Sequence, residues 1–198
     1  MLLVGPDGAG KSTLAKGLIE ATRSHFSRVV HMHWRPGLLP RAGRFVGAKM
    51  GDPSAPHAEE PHGRLLSLGL LAYNWLDFFL GSWLRILPVR AKGGLVVMER
   101  GWMDIAVDPR RYHLDVPEKL VELFGRLLPG PDVVIVLQTD PEILAHRTGE
   151  LPQEELSRQM ALWRKISFSP RTHRLALDAS DGKEQLMDRA ARAILARL

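Results

Sequence analysis

Short unbroken apolar runs alternate along the chain with longer stretches in which apolar residues recur every three to four positions. The short runs lie at Met1–Val4, Arg28–His33, Leu95–Glu99, Asp132–Leu137 and Arg174–Asp178. Runs such as LVVM and VVIVL have no polar alternation, so they predict strands buried on both faces. The helical spacing predicts helices over Lys11–Arg23, Arg64–Val89, Pro117–Leu127, Pro141–Arg147, Gln153–Ile166 and Lys183–Leu198. Strands separated by helices of this length imply a parallel α/β sheet. The stretch from Trp34 to Gly63 is rich in Pro, Gly, His and Arg and reads as a long loop with at most a helical turn. Loops of that length in a compact domain are commonly functional. The segment from Leu65 to Val89 is long enough to span a bilayer. Asn74 and Asp77 near its middle favour a buried or interface helix instead.

At 198 residues the chain fits one domain, residues 1–198. Its 45% hydrophobic and 25% charged content excludes disordered and fibrous classes. There is no cysteine, which excludes disulfides, zinc–thiolate centres, iron–sulfur clusters and thiol nucleophiles. With no leader pattern at Met1, the expected location is the cytoplasm. The net charge of +5, carried more by Arg than by Lys, suits phosphorylated substrates, acidic surfaces or nucleic acid, and equally a compositional bias. No base-stacking motif supports nucleic acid, and none is expected as a partner.

The strongest chemical signal is Gly5-Pro-Asp-Gly-Ala-Gly-Lys11-Ser12-Thr13, which follows a strand and opens a helix. In this pattern Gly5, Gly8, Ala9 and Gly10 let backbone N–H groups face a phosphate, with Lys11, Ser12 and Thr13 at the helix N-terminus. Lys11 supplies a compact charge to the β- and γ-phosphates of ATP, and Ser12 a hydroxyl to Mg²⁺. Asp7 lies inside the loop, where a carboxylate is unfavourable beside phosphate. It is therefore expected to face the acceptor and accept a hydrogen bond from a hydroxyl. A simple turn-forming role is the competing reading.

The third strand ends in Glu99-Arg100, at the sheet edge where ligands bind in open α/β folds. Glu99 can hold Mg²⁺ through water and Arg100 can clamp a phosphoryl oxygen. Downstream, Asp104, Asp108, Arg110 and Arg111 mark an acceptor-side loop, against a solvated turn as the plainer alternative. Arg147, and then Arg158 and Arg164, flank a polar segment, with about 147–158 reading as a lid that carries an Arg to the transferring phosphate; for each Arg singly, a solvated helix face is the equal alternative. His31 and His33 alternate on one strand face, as a metal pair would. No third ligand has suitable spacing, which favours pocket histidines. Trp34, Arg35, Pro36 and Gly37 end the second strand and can shape an acceptor pocket.

The GPDGAGKST loop, the strand-end Glu-Arg pair and the DPEILAHR helix followed by a lid resemble the thymidylate kinase group of P-loop nucleotide kinases. The resemblance spans nearly the whole chain. It implies a three-layer α/β/α P-loop NTPase fold with a five-stranded parallel sheet and a lid, ATP and Mg²⁺ as cofactors, and a homodimer. It also implies that Asp7 contacts an acceptor hydroxyl and that Arg100 matches the family's strand-end Arg. With Gly at Gly8, the catalytic Arg is implied to come from the lid, at Arg147 or Arg158. The LDAS segment resembles the adenine-side loop, around Asp178 to Ser180. There are four departures: Glu99 replaces the family's Asp, Asn74-Trp75 stands where the long helix carries an Arg, MDIAVDPRRY replaces the Ser- and Gln-bearing segment after the strand-end pair, and the R-E-P-G turn becomes Arg35-Pro36-Gly37. An acceptor-side region at about 34–115 would then hold its substrate through Asp7, Arg35, Asn74, Arg100, Asp104, Asp108 and Arg111.

The expected function is ATP-dependent phosphoryl transfer to a small acceptor, with a nucleoside monophosphate such as dTMP as the first reading. A kinase for a sugar or glycan hydroxyl is the alternative within enzymes. A nucleotide-bound regulator and a nucleic-acid-stimulated ATPase are alternatives of other classes. The helix at 65–87 carries Trp75, Phe78, Phe79 and Trp83, which cannot all face one sheet, and a two-fold dimer built on it is expected.

Overall fold

The fold was analysed in a computed structural model that describes residues 1–40, 60–148 and 151–197. Five strands form one all-parallel sheet: β1 (Leu2–Val4), β2 (Val29–Met32), β3 (Leu95–Glu99), β4 (Val133–Gln138) and β5 (His173–Asp178), in spatial order β2-β3-β1-β4-β5. Each expected strand is present with its ends shifted by at most two residues. Continuous apolar runs tolerate no other placement, because both faces of β3 and of most of β4 are buried.

The sheet separates two apolar layers by strand alternation. Leu3, Val97, Ile135 and Leu137 face one layer, with Leu14 and Leu18 of α1 (Lys11–Thr22). Leu2, Val4, Met98, Val134 and Val136 face the other, with Leu71 and Phe78 of α2 (Arg64–Gly81). The remaining helices are α3 (Leu87–Ala91), α4 (Asp104–Val107), α5 (Glu118–Gly125), α6 (Pro141–Thr148), α7 (Gln153–Lys165) and α8 (Lys183–Leu195).

The sequence predicts one continuous helix from Arg64 to Val89. The structure inserts a π-helical turn at Ser82–Ile86, in which the Leu87 N–H donates to the Ser82 carbonyl. Pro88 explains it: its ring cannot sit over the carbonyl four residues earlier, so the turn before it widens. The helical stretch Arg64–Ala91, which α2 opens, is long and apolar enough to cross a membrane by length and composition. Here α2 lies along the sheet, burying Ser67, Leu71, Asn74, Asp77, Phe78 and Gly81.

Asp77 is fully buried in that apolar helix and accepts the backbone N–H groups of Gly37 (3.0 Å) and Leu39 (2.6 Å). Arg35 lies 3.6 Å from the same carboxylate, and Arg85 donates to the Pro36 and Gly37 carbonyls. The Arg-Pro-Gly turn is thus fastened to α2. Gly81 lets it approach, since a Cβ there would lie 2.2 Å from Pro36 Cβ. Most of the expected long loop, residues 41–59, lies outside the described residues.

The chain leaves β1 at the point where the strand order reverses, with β3 on one side and β4 on the other. The crevice beyond the strand ends opens there, and the glycine-rich loop occupies it.

Candidate active site

The loop Gly5–Gly10 joins β1 to α1. Gly5 adopts φ 142, and a Cβ on it would lie 2.5 Å from the Leu137 carbonyl oxygen. Only glycine allows that approach between β1 and β4. The N-cap of α1 is Gly10, which has no side chain to cap the helix, so the first-turn amides and the helix dipole are turned to the crevice.

Lys11 folds back into the loop and donates to the Gly5 carbonyl at 2.9 Å and the Pro6 carbonyl at 2.7 Å. Burial, together with the Arg100 charge, lowers its pKa from 10.5 to about 8 against the pull of Asp7 and Asp104. The lysine thereby remains largely charged at neutral pH.

Ser12 donates its hydroxyl to Glu99 Oε2 at 2.5 Å. Strand alternation accounts for the meeting, since Glu99 shares the face of Val97, which packs in the α1 layer. Two hard oxygen donors at the mouth of a phosphate loop suit Mg²⁺, which is usually held by one or two protein oxygens plus phosphate and water. Among the described residues, no three His, Asp or Glu side chains are arranged to hold a metal ion by themselves. His31, one strand away, places Nε2 2.7 Å from Glu99 Oε1, and His33 Nδ1 lies 3.9 Å from Oε2. His31 is thus joined to Glu99, whereas the His33 side chain is 71% exposed.

Asp7 is the centre of a cluster of cationic side chains. Arg100 donates to its Oδ1 and Arg111 to its Oδ2, while Lys11 lies 3.6 Å away. Burial raises the Asp7 pKa, but Arg100, Lys11 and Arg111 together outweigh it, leaving the carboxyl below its ordinary 3.8. Burial also works against the Arg100 charge, and Asp7 overrides it, holding the guanidinium well above its usual range. Arg100 has φ 65. A residue with a Cβ adopts that conformation at a cost of about 1–2 kcal/mol, and it turns the side chain from the end of β3 toward the loop. Its N–H donates to the Leu3 carbonyl at 2.9 Å and pins the turn.

The expected acceptor-side loop contains the short helix α4. Asp104 starts it and accepts the Gly101 N–H at 2.7 Å. It is nearly inaccessible, and burial raises its pKa from 3.8 to about 6 in spite of Arg100. Asp108 accepts the Arg111 N–H at 3.3 Å and so shapes the turn that delivers Arg111 to Asp7. A small cavity of about 10 Å³ lies among Gly5, Asp7, Arg100, Asp104, Arg111 and Tyr112, closed from above by Gln159 and Trp163 of α7. Trp34 stacks on Tyr112 with ring centres 4.6 Å apart. Trp34 Nε1, the Tyr112 hydroxyl and Arg100 Nε are buried polar atoms without a hydrogen-bond partner among the described residues. A larger cleft of about 740 Å³, lined by Phe78, Trp83, Trp102 and Phe168, is lined by none of the phosphate-loop residues.

Other expected site residues stand apart from this centre. Arg35 is committed to Asp77, and Asn74 is buried on the same face of α2. Arg158 is bound by Glu155 at 2.6 and 2.8 Å and donates to the Val107 carbonyl at 2.8 Å, linking α7 to α4. Arg147 lies in α6, and part of the lid, residues 149–150, is outside the described residues. Asp178 accepts the Ser180 N–H (2.9 Å) and hydroxyl (2.8 Å) in a turn at the end of β5. Tyr112 falls within the expected acceptor-side segment, whereas Gln159 and Trp163 come from a helix to which the sequence gives no such role. Trp163 and Gln159 sit four positions apart on one helix face, a spacing that marks burial but not what is buried against.

No protein family matches the chain in sequence, and no curated protein does. In three dimensions it is similar to the crystal structure of thymidylate kinase from Ehrlichia chaffeensis, with a TM-score of 0.59 over 98% of this chain and 96% of that one at 16% identity. The fold is thymidylate kinase-like, with the all-parallel five-stranded sheet of a P-loop NTPase.

Proposed function

We propose that the chain transfers a phosphoryl group from ATP to a small acceptor, and that the acceptor is a nucleoside monophosphate. The observation that carries this is the convergence of Lys11, Arg100 and Arg111 on one carboxylate, Asp7, beside the Ser12–Glu99 pair. Asp7 carries two guanidiniums at once, with Lys11 close by. A ligand phosphate that replaces Asp7 between Arg100 and Arg111 meets the paired donors that phosphate recognition uses.

In this reading the loop amides and Lys11 hold the β- and γ-phosphates. Lys11 exchanges the Gly5 and Pro6 carbonyls for phosphate oxygens. Mg²⁺, when bound with the nucleotide, neutralises charge that develops on the transferred group. Ser12 and Glu99 would hold it. Asp178 and Ser180 border the adenine. Arg100 and Arg111 orient the acceptor phosphate, whose oxygen is largely ionised at pH 7 and needs no general base. Asp7 then turns to the acceptor's hydroxyl. Arg147 supplies the lid charge, and Arg158 holds the lid helix on α4. Cytoplasmic location and a homodimer through the exposed side of α2 and the turn after it accompany this reading.

The sugar-hydroxyl alternative asks the same Asp7 to act as a base after Arg100 and Arg111 have turned away from it. Kinetics of Asp7→Asn separate the two, once ATP-consumption assays across monophosphates and sugars identify an acceptor. For a monophosphate, the variant mainly raises the acceptor KM. A loss of about 10²–10⁴ in kcat at unchanged KM would overturn the nucleotide reading.

A further inference from the structure

The two oxygens of Glu99 serve different partners. Oε2 accepts from Ser12 at 2.5 Å, and Oε1 lies 2.7 Å from His31 Nε2. The carboxylate is 1% exposed, so its orientation is set by these contacts and not by water. The sheet register explains the second contact. His31 pairs with Val97 across β2 and β3, which puts its ring on the α1 side, one alternation below Glu99. Glutamate has one more rotatable bond than aspartate, so a carboxylate meant to stay beside the Ser12 hydroxyl needs an additional constraint.

We infer that His31 is a positioning residue for a divalent-cation site of the Mg²⁺ and Mn²⁺ class, formed by Ser12 and Glu99. Its ring N–H holds Glu99 Oε1 so that Oε2 stays turned to Ser12. Ligating carboxylates are themselves hydrogen-bonded, and loss of such a partner commonly costs about 10–100-fold in metal affinity. The inference rests on the reading of Ser12 and Glu99 as the cation-holding pair. It adds the residue that makes a glutamate serviceable there.

The test is Mn²⁺ binding to the full chain in the presence of ADP, followed by electron paramagnetic resonance, with ADP affinity measured separately without metal. His31→Ala should weaken Mn²⁺ about 10–100-fold and leave metal-free ADP binding unchanged. His31→Gln, whose amide can donate to the same oxygen, should recover most of the loss. Should the alanine variant not fold, His31→Asn, which keeps a donor but shortens its reach, takes its place. Mn²⁺ affinity within twofold of wild type in His31→Ala or His31→Asn, or a glutamine variant as weak as either, overturns the assignment while leaving the proposed function standing. Failure of the wild-type chain to bind Mn²⁺ with ADP would remove the Ser12–Glu99 cation site itself, and both readings with it.

Discussion

Arg111 reaches across 104 positions of sequence to take Oδ2 of Asp7, the oxygen that Arg100 leaves open. The loop aspartate is thus neutralised from two sides by residues that follow β3. The contact connects the glycine-rich loop to the segment that follows β3. A ligand that draws Arg100 or Arg111 away releases Asp7.

Lys11→Ala should abolish transfer while preserving the fold. The side chain bonds only to loop carbonyls and lies near Asp7, so the core is untouched. Loss of one preorganised charge at a phosphoryl group is expected to lower kcat by about 10²-fold or more. Turnover by the variant at a near-normal rate, with an unchanged circular dichroism spectrum, would end the kinase reading.

Asp104 gives the protein a pH-dependent stability. Its pKa rises from 3.8 to about 6 on folding, with burial as the main cause. The folded state therefore binds the proton more tightly, and stability falls as pH rises between these values. The difference corresponds to about 3 kcal/mol. Asp104→Asn keeps an acceptor for the Gly101 N–H and has no charge to desolvate. Urea denaturation between pH 4 and 7 should show the wild-type slope flattened in the variant, with a gain at pH 7 of up to about 3 kcal/mol.

Gly81→Ala tests the fastening of the Arg-Pro-Gly turn. The added methyl would sit 2.2 Å from Pro36 Cβ, so the turn must lift from α2. A cost of about 1–3 kcal/mol is expected from overpacking. Acceptor KM should rise while the ATP KM stays constant, because Trp34 and its stack on Tyr112 move with the turn. Equal melting temperatures would show that the turn is not held as described.

The two lid arginines should separate kinetically. Arg158 is tied to Glu155 and the Val107 carbonyl, so Arg158→Ala should chiefly weaken acceptor binding through α4. Arg147→Ala should lower kcat by about 10³-fold or more, as expected for an arginine that meets the transition state. If both variants and their double mutant keep kcat, the charge comes from elsewhere, and Arg110 is the next residue to replace.

The assembly expectation turns on exposed apolar surface. Trp83 is 52% exposed and Leu84 62%, whereas Phe78 is buried and Trp75 stacks on Phe79. Sedimentation should show a dimer that Trp83→Glu dissociates. A monomer mass independent of concentration in the wild-type chain would refute it.

Sequence alone determined the strands, most helices and the phosphate loop, because each is governed by short-range rules. Unbroken apolar runs must be buried on both faces, and the Gly5-to-Thr13 pattern has a geometry fixed within nine positions. It also singled out Glu99 and Arg100, since strand ends in parallel sheets face the ligand crevice. Tertiary structure alone decided what those residues bind. That Asp7 is held by Arg111, that Glu99 is held by His31, and that Asp77 fastens a turn forty positions earlier follow from strand order and register. Neither is written in local spacing. The histidines show the difference: the contact of His31 with Glu99 has no signature along the chain and arises because parallel pairing of β2 with β3 puts the two on one face of the sheet.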